Sequence, residues 1–353
     1  MTRAADLMHQ CPRPGAGPLH PLDLPRYTPP VQFEIAKSSP LVFAERPDNA
    51  LFRYGHAHAY INTYEQARVF GNGFLILGRS LVLDGLTSGN YIQNQKEQLA
   101  SYGAVPDGGT LSGEYVLVWG SENFGHWLFT YLMRLTLLYW KPELIGLPLL
   151  VKQGTPPRFV AWLREMGFSK ILYACDGCRI EKLHVPSVVT YRGPDQLPYV
   201  FPQALDLLRY RVLDIGAVWP VRSRTRLYLS RDRSRWRKLV NEAEVSAMLA
   251  RHGIERVFME DLTLSEQLDK ISRAELIVSH CGAGSSITLF APRDCRIVEI
   301  GFPAITGTFA SRAWAHQLGQ PFIRFDAQPV ARSGPLAIDW DCRVNIAALE
   351  KIL

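Results

Sequence analysis

Apolar positions follow two different rhythms along this chain. Up to about residue 105 they come as short runs, Val31–Ile35, Leu41–Phe43, Ala59–Ile61 and Gly73–Leu83, separated by Gly and Asn. Runs of that length bounded by turn formers predict short strands joined by turns. A helical spacing shows only around Asn94–Tyr102. From about 114 the rhythm changes to alternation. Tyr115–Trp119 predicts a strand, Gly120–Gly125 a turn, and His126–Trp140, apolar at three- and four-residue spacing, a helix. Leu149–Lys152 and Ile171–Ala174 predict strands, with Pro157–Met166 between them as a helix closed by Gly167. Arg179–Val185 and Ser187–Tyr191 predict further strands, and Gln203–Ile215 a connecting helix.

The alternation is clearest after 225. Strands are predicted at Arg226–Ser230, Arg256–Met259, Leu276–Ser279, Arg296–Ile300 and Phe322–Phe325. The helices between them fall at Asn241–His252, Ser265–Arg273, from after Gly282–Gly284 to Phe290, and at Ala310–Leu318, and Val344–Leu353 closes the chain. Strands that alternate with helices imply a parallel sheet, here a Rossmann-like domain over 210–330. The expected class is therefore α/β, organised as a proline-rich extended lead-in at 1–30, an α/β domain at 31–205 and a second α/β domain at 206–353.

Composition narrows the class further. The 353 residues are 47% hydrophobic and 20% charged, values of a globular chain with a sizeable core. The net charge of +6 suits an anionic ligand, an anionic membrane surface or nucleic acid without choosing among them. No run of 18 apolar residues exists, so no membrane-spanning helix is expected. The first residues lack the apolar core of a secretory signal, and the six cysteines show no disulfide spacing, which points to a reducing cytosol. Cys175-Asp-Gly-Cys178 is one CxxC without a second pair, too few ligands for a structural zinc site.

In open α/β sheets ligands sit outside the carboxyl ends of the strands, so residues just after the predicted strands are the candidates. Between Arg222 and Arg237 seven arginines fall in sixteen residues, offset by the single acid Asp232. Guanidinium groups bind phosphate bidentately and keep their charge, so Arg231 and Arg237 suit a diphosphate. The same run reads equally as a solvated basic loop or a nucleic-acid patch. Ser279-His-Cys-Gly-Ala-Gly-Ser-Ser286 follows a strand and opens a helix. Its glycines would let the backbone approach an anion at the helix start, or would serve helix packing. The third glycine of a dinucleotide fingerprint is missing. His126 falls at a helix start and reads as a general base or as a capping residue. Glu299 ends a strand and reads as a structural acid or a ribose ligand. Asp339-Trp-Asp341 has the form of a metal-binding triplet but reads better as a polar turn.

The order of these signals adds to each. Asn123-Phe-Gly-His-Trp-Leu-Phe-Thr-Tyr-Leu-Met-Arg-Leu135 resembles the helix-start motif of glycosyltransferase family 61, the DUF563 proteins. Leu227–Arg231, the Arg237/Asn241-Glu242 stretch, Val257–Leu262, Leu264–Gln267, Ala274–Val278, Gly282-Ala-Gly284 and Ile297–Ile300 resemble that family's carboxyl half in the same order. The likeness runs over about 115–325. It implies two Rossmann-like domains facing a cleft (GT-B-like) and an inverting sugar transfer that needs no divalent metal or other cofactor. It implies a nucleotide-sugar donor and a glycan or lipid-linked acceptor in capsule or lipopolysaccharide synthesis, with no nucleic acid as partner. The setting implied is cytoplasmic, compatible with peripheral contact at the inner membrane. For the site it implies His126 as base with Glu122 second, and a donor set of Arg231, Arg237, Glu266, Gln267, His280, Gly282, Ala283, Gly284, Ser285 and Glu299. The chain differs from the family pattern at Thr130, Met133, Cys281 and Ile287. Those differences leave open an inactive nucleotide- or glycan-binding protein of the same fold.

Overall fold

A computed structural model describes residues 41–42, 52–54, 57–78, 80–82, 104–120, 123–192, 198–215, 224–302, 311–330 and 337–353. The lead-in at 1–30, the predicted strand at Val31–Ile35, the predicted helix around Asn94–Tyr102, Arg222 and Glu122 lie outside these residues. The chain divides into two compact units. One runs to Tyr191 and takes in Val200–Leu208; the other takes in Arg192–Tyr199 and everything from Arg209 onward.

The first unit is built on an eight-stranded sheet. Its strands are β1 (Leu41–Val42), β2 (Ile61–Phe70), β3 (Phe74–Leu77), β4 (Ser80–Val82), β5 (Thr110–Leu117), β6 (Leu149–Lys152), β7 (Ile171–Ala174) and β8 (Arg179–Pro186), in the order β1-β4-β3-β2-β8-β5-β6-β7. The half β8-β5-β6-β7 is parallel, whereas β2, β3 and β4 pair antiparallel, as do β2 and β8. The expectation of a Rossmann-like first domain is therefore corrected to a mixed sheet. The reason is local: Gly71 and Gly73, at φ 59° and 101°, close a tight turn between β2 and β3. Such a turn returns the chain antiparallel, while a parallel neighbour needs a crossover of a dozen residues or more. The core on this sheet includes Val69, Leu75, Leu117, Trp119, Leu150 and Leu183, all nearly or wholly buried.

The second unit holds five strands, β9 (Thr225–Leu229), β10 (Glu255–Val257), β11 (Ala274–His280), β12 (Arg296–Gly301) and β13 (Phe322–Asp326). All pairings are parallel, in the order β10-β9-β11-β12-β13. Helices Glu242–Arg251, Leu264–Ser272, Ala283–Phe290 and Ser311–Leu318 occupy the four connections. The buried runs Leu276–Val278 and Ile297–Ile300 explain why these strands read as continuous apolar segments instead of alternating ones. In chain order the strands stand 2-1-3-4-5, so the winding direction reverses between β9 and β11. Ligands of open α/β sheets bind at such a switch point, outside the carboxyl ends of the strands.

Among the described residues no helix is long and apolar enough to cross a membrane. Their five cysteines are all free thiols.

Candidate functional site

The loops that leave β9 and β11 bring the two strongest sequence signals together. Arg231 follows β9 and Gly282 follows β11, and a Cβ built on Gly282 would stand 2.2 Å from Arg231 Nη1. The guanidinium therefore lies across the glycine backbone, and a larger residue there would have to displace it. Gly282 has extended backbone at φ 172°, so the requirement for glycine is space, not conformation. The 3₁₀ helix Ala283–Phe290 starts at this point, with Ser285 Oγ donating back to the Gly282 carbonyl at 2.7 Å. Amides at a helix start lack intrahelical acceptors, so they add to the positive character of the site.

Arg231 is half-buried, and its Nε has no hydrogen-bond partner among the described residues. Burial first, and then the charge of Arg237, push its pKa down to about 10. It stays protonated at neutral pH, yet it sits where a cation is disfavoured, which is the condition an anionic ligand relieves. Arg237 is also lowered, by burial above all. It occupies left-handed backbone at φ 60°, a sparsely populated region for a non-glycine residue. The carboxyl-terminal segment holds it there. Arg237 N–H donates to the Asp339 carbonyl at 3.2 Å, Lys238 N–H donates to Asp341 Oδ1 at 2.7 Å, and Leu239 bridges to Cys342. The triplet Asp339-Trp-Asp341 thus anchors the arginine loop through its backbone.

The remaining arginines of the run separate by partner. Arg224 pairs with Asp294 at 2.7 Å, Arg226 donates to the His252 carbonyl at 2.6 Å, and Arg233 contacts both Asp261 oxygens at 2.6 Å while lying over the Phe258 ring. Arg235 lies over Trp236. The root of the loop is fixed by Glu242, which is almost fully buried and accepts from Tyr228 Oη and Ser230 Oγ at 2.5 Å each. Arg256 closes this network, 3.0 Å from both Glu242 and Asp232.

Behind Arg231 lie buried polar groups of β11 and β12. His280 has Nε2 3.4 Å from Cys342 Sγ, and burial together with Arg231 and Arg237 drives its pKa to about 3. It is neutral at any working pH, so the positive charge of the site belongs to the guanidinium groups. Ser279 Oγ is buried without a partner among the described residues, a polar atom that the sequence reading did not single out. Nothing in a strand-end serine marks it in advance. Glu299 is buried, accepts from Ser311 Oγ and takes the Cys281 thiol as a second donor; burial raises its pKa. The Cys281 thiol is raised too, by burial and then by Glu299. Glu299 thus sits in an internal network.

Glu266 and Gln267 stand at the start of helix Leu264–Ser272, after β10. Glu266 completes a capping box with Thr263: Thr263 N–H donates to Glu266 Oε2 at 2.7 Å and Glu266 N–H to Thr263 Oγ1 at 3.3 Å. The cap is therefore Thr263, and the helix begins at Leu264, one residue before the predicted Ser265. Gln267 Nε2 donates to the carbonyls of Met259 and Leu262 at 2.8 and 3.1 Å.

In the first unit, the motif around His126 is explained residue by residue. Asn123 is the N-cap, its Oδ1 accepting from His126 N–H at 3.3 Å. Trp127 stacks on Phe159 with ring centroids 5.2 Å apart, and Phe124 tilts against Phe159 and Trp162 at 6.0 Å. A Cβ on Gly120 would meet the Tyr131 ring at 2.5 Å, so that position is glycine for space. From Trp127 to Leu132 the helix is wound as a π turn, a feature concentrated at functional sites. The aromatic anchors bury Trp127 and leave His126 exposed at the carboxyl end of β5. Partial desolvation lowers its pKa below the usual 6.5, so the imidazole is neutral and able to accept a proton at neutral pH.

A parallel strand-end site gathering desolvated arginines and a helix start belongs to proteins that hold anionic ligands. The family model described as Glycosyltransferase 61 matches residues 124–298, which begins at the His126 helix and ends in β12. The chain belongs to this glycosyltransferase family. No curated protein matches it.

Proposed function

We propose that this protein transfers a sugar from a nucleotide-sugar donor to a hydroxyl group of a glycan or lipid-linked acceptor, with inversion and without a divalent metal. The observation that carries the reading is the Arg231–Gly282 contact at the switch point of the second sheet. In such a transfer an acceptor oxygen attacks the anomeric carbon, the bond to the diphosphate breaks, and the nucleoside diphosphate leaves with its extra negative charge. That charge needs a preorganised electrostatic partner. Arg231 is cationic with an Nε that has no partner among the described residues, Arg237 adds its charge beside it, and the amides around Gly282–Ser286 reinforce them. His126 takes the proton of the attacking hydroxyl, and Glu299 with its partners shapes the region next to the nucleotide. This assigns the donor to the second unit and the acceptor to the first, a GT-B-like division of labour. Work on surface polysaccharide, in the cytoplasm and at the face of the inner membrane, is the setting that fits.

Mixing the protein with a panel of nucleotide-sugars and glycan acceptors in excess EDTA should release nucleoside diphosphate at the rate seen without chelator. Loss of activity restored by Mn²⁺ would overturn the metal-free mechanism. Absence of turnover with every pair, alongside retained nucleotide binding, would favour a binding protein of the same fold.

Gly282→Ala supplies a second test. Its methyl group would collide with the end of a flexible side chain, so Arg231 moves and the fold survives. Nucleotide affinity measured by calorimetry should fall at least fivefold while the melting temperature stays within a degree or two. Unchanged affinity would separate Arg231 from the ligand.

A further inference from the structure

A half-open cavity of about 280 Å³ lies in the first unit, lined by Phe70, Gly71, Ala104, Val105, Pro106, Lys152 and Asp176. Lys152 ends β6 and Asp176 follows β7, so the cavity stands at the carboxyl edge of the parallel strands, as does His126 after β5. No residue of this cavity takes part in the roles described above.

Its walls are held rigidly. Arg68 donates to three carbonyls, those of Val105 at 3.0 Å, Pro106 at 2.8 Å and Gly177 at 3.2 Å, and so ties the 105–106 segment to the turn after β7. Gly177, at φ 83°, and Gly108 let these backbones touch; a Cβ on Gly177 would lie 1.8 Å from the Pro106 carbonyl oxygen. The opposite wall is the Gly71–Gly73 turn. Gly71 N–H donates to Asp176 Oδ1 at 2.8 Å, and its carbonyl accepts from Trp119 Nε1 at 2.9 Å and Lys152 Nζ at 3.1 Å. Lys152 Nζ stands 3.1 Å from Asp176 Oδ2, and both side chains remain about one-third exposed.

The cavity therefore presents a paired ammonium and carboxylate beside an apolar wall, with little net charge. A carboxylate–ammonium pair offers acceptors and donors at one edge, which matches vicinal hydroxyl groups; the apolar side matches the C–H face of a sugar ring. A multiply charged anion would meet Asp176, and a purely apolar ligand would strip water from the partly exposed ion pair without replacing its hydrogen bonds, which is costly. The volume lies at the small end for ligand pockets and holds about one ring. We propose that this cavity binds one neutral pyranose unit, through Lys152 and Asp176, and is a glycan subsite on the acceptor side. The acceptor assignment rests on the proposed transfer; the sugar binding does not.

The test uses the full chain without nucleotide and methyl β-glucopyranoside, methyl β-galactopyranoside and methyl β-xylopyranoside as probes in saturation-transfer NMR. At least one should show saturation on its ring protons. The signal should fall at least fivefold in Lys152→Met, in Asp176→Asn, which keeps an acceptor toward Gly71, and in Ala104→Trp, which fills the cavity from an exposed position and leaves both charged residues in the sequence. It should persist in Arg231→Ala. Absence of saturation for all three glycosides, or its persistence in a folded Ala104→Trp protein, would overturn the subsite. A signal that behaves as expected while no transfer is found in any donor–acceptor pair would leave the sugar site standing and reject only its place in the reaction.

Discussion

His126→Ala is expected to abolish sugar transfer while leaving the affinity for nucleotide unchanged. The side chain is exposed at the carboxyl end of β5, and its backbone is pinned by the Asn123 cap and the Trp127–Phe159 stack. Removing the imidazole therefore takes away a proton acceptor without loosening the helix. A positioned general base is worth about 10²–10⁴ in rate. The wild-type pH profile gives an independent reading. Desolvation holds the His126 pKa below 6.5, so its neutral form persists to lower pH than for a solvated histidine. The acid limb of kcat/KM should accordingly fall below pH 6.5 and vanish in a variant with residual activity. Full activity of the alanine protein would reject His126 as base.

Arg231→Ala should weaken binding of UDP or a related nucleoside diphosphate at least tenfold by calorimetry and lower turnover by about 10²–10³, the usual effect of deleting one preorganised charge partner. The native guanidinium is charged at pH 7, since its pKa is about 10, and its Nε has no partner among the described residues. Arg231→Lys should recover only part of the loss, because an ammonium group keeps the charge but not the planar fork. An alanine variant with wild-type affinity would remove the diphosphate assignment, and with it the central observation behind the proposed transfer.

Much of the fold was legible in the amino-acid pattern. The strands Leu149–Lys152 and Ile171–Ala174 coincide with prediction, and those of the second unit agree within one or two residues, because buried parallel strands are short apolar runs closed by polar or glycine residues. The first unit was harder. Its hairpins depend on turns at Gly71–Gly73 and Gly78, and a run such as Gly73–Leu83 does not say which way the chain returns. The capping box at Thr263 and Glu266 shows a different limit, since Thr263 and Ser265 are both capping residue types and only backbone geometry chose.

The site divides in the same way. Residue chemistry alone marked Arg231, Arg237, Gly282 and His126 as the bearers of charge, close approach and proton transfer. It could not say which of the other arginines are neutralised, because that depends on whether an acid stands beside them. Arg224 and Arg233 found Asp294 and Asp261, far along the chain, whereas Arg231 came to rest on the Gly282 backbone. Nor could it see that Asp339 and Asp341 secure the arginine loop, or that Lys152 and Asp176 share a cavity. Local sequence determined which elements form, through periodicity, caps and turn residues that act over a few positions. Pairings across tens to a hundred residues were decided by the tertiary structure, because they depend on strand order, and strand order follows from how all the apolar faces are buried at once.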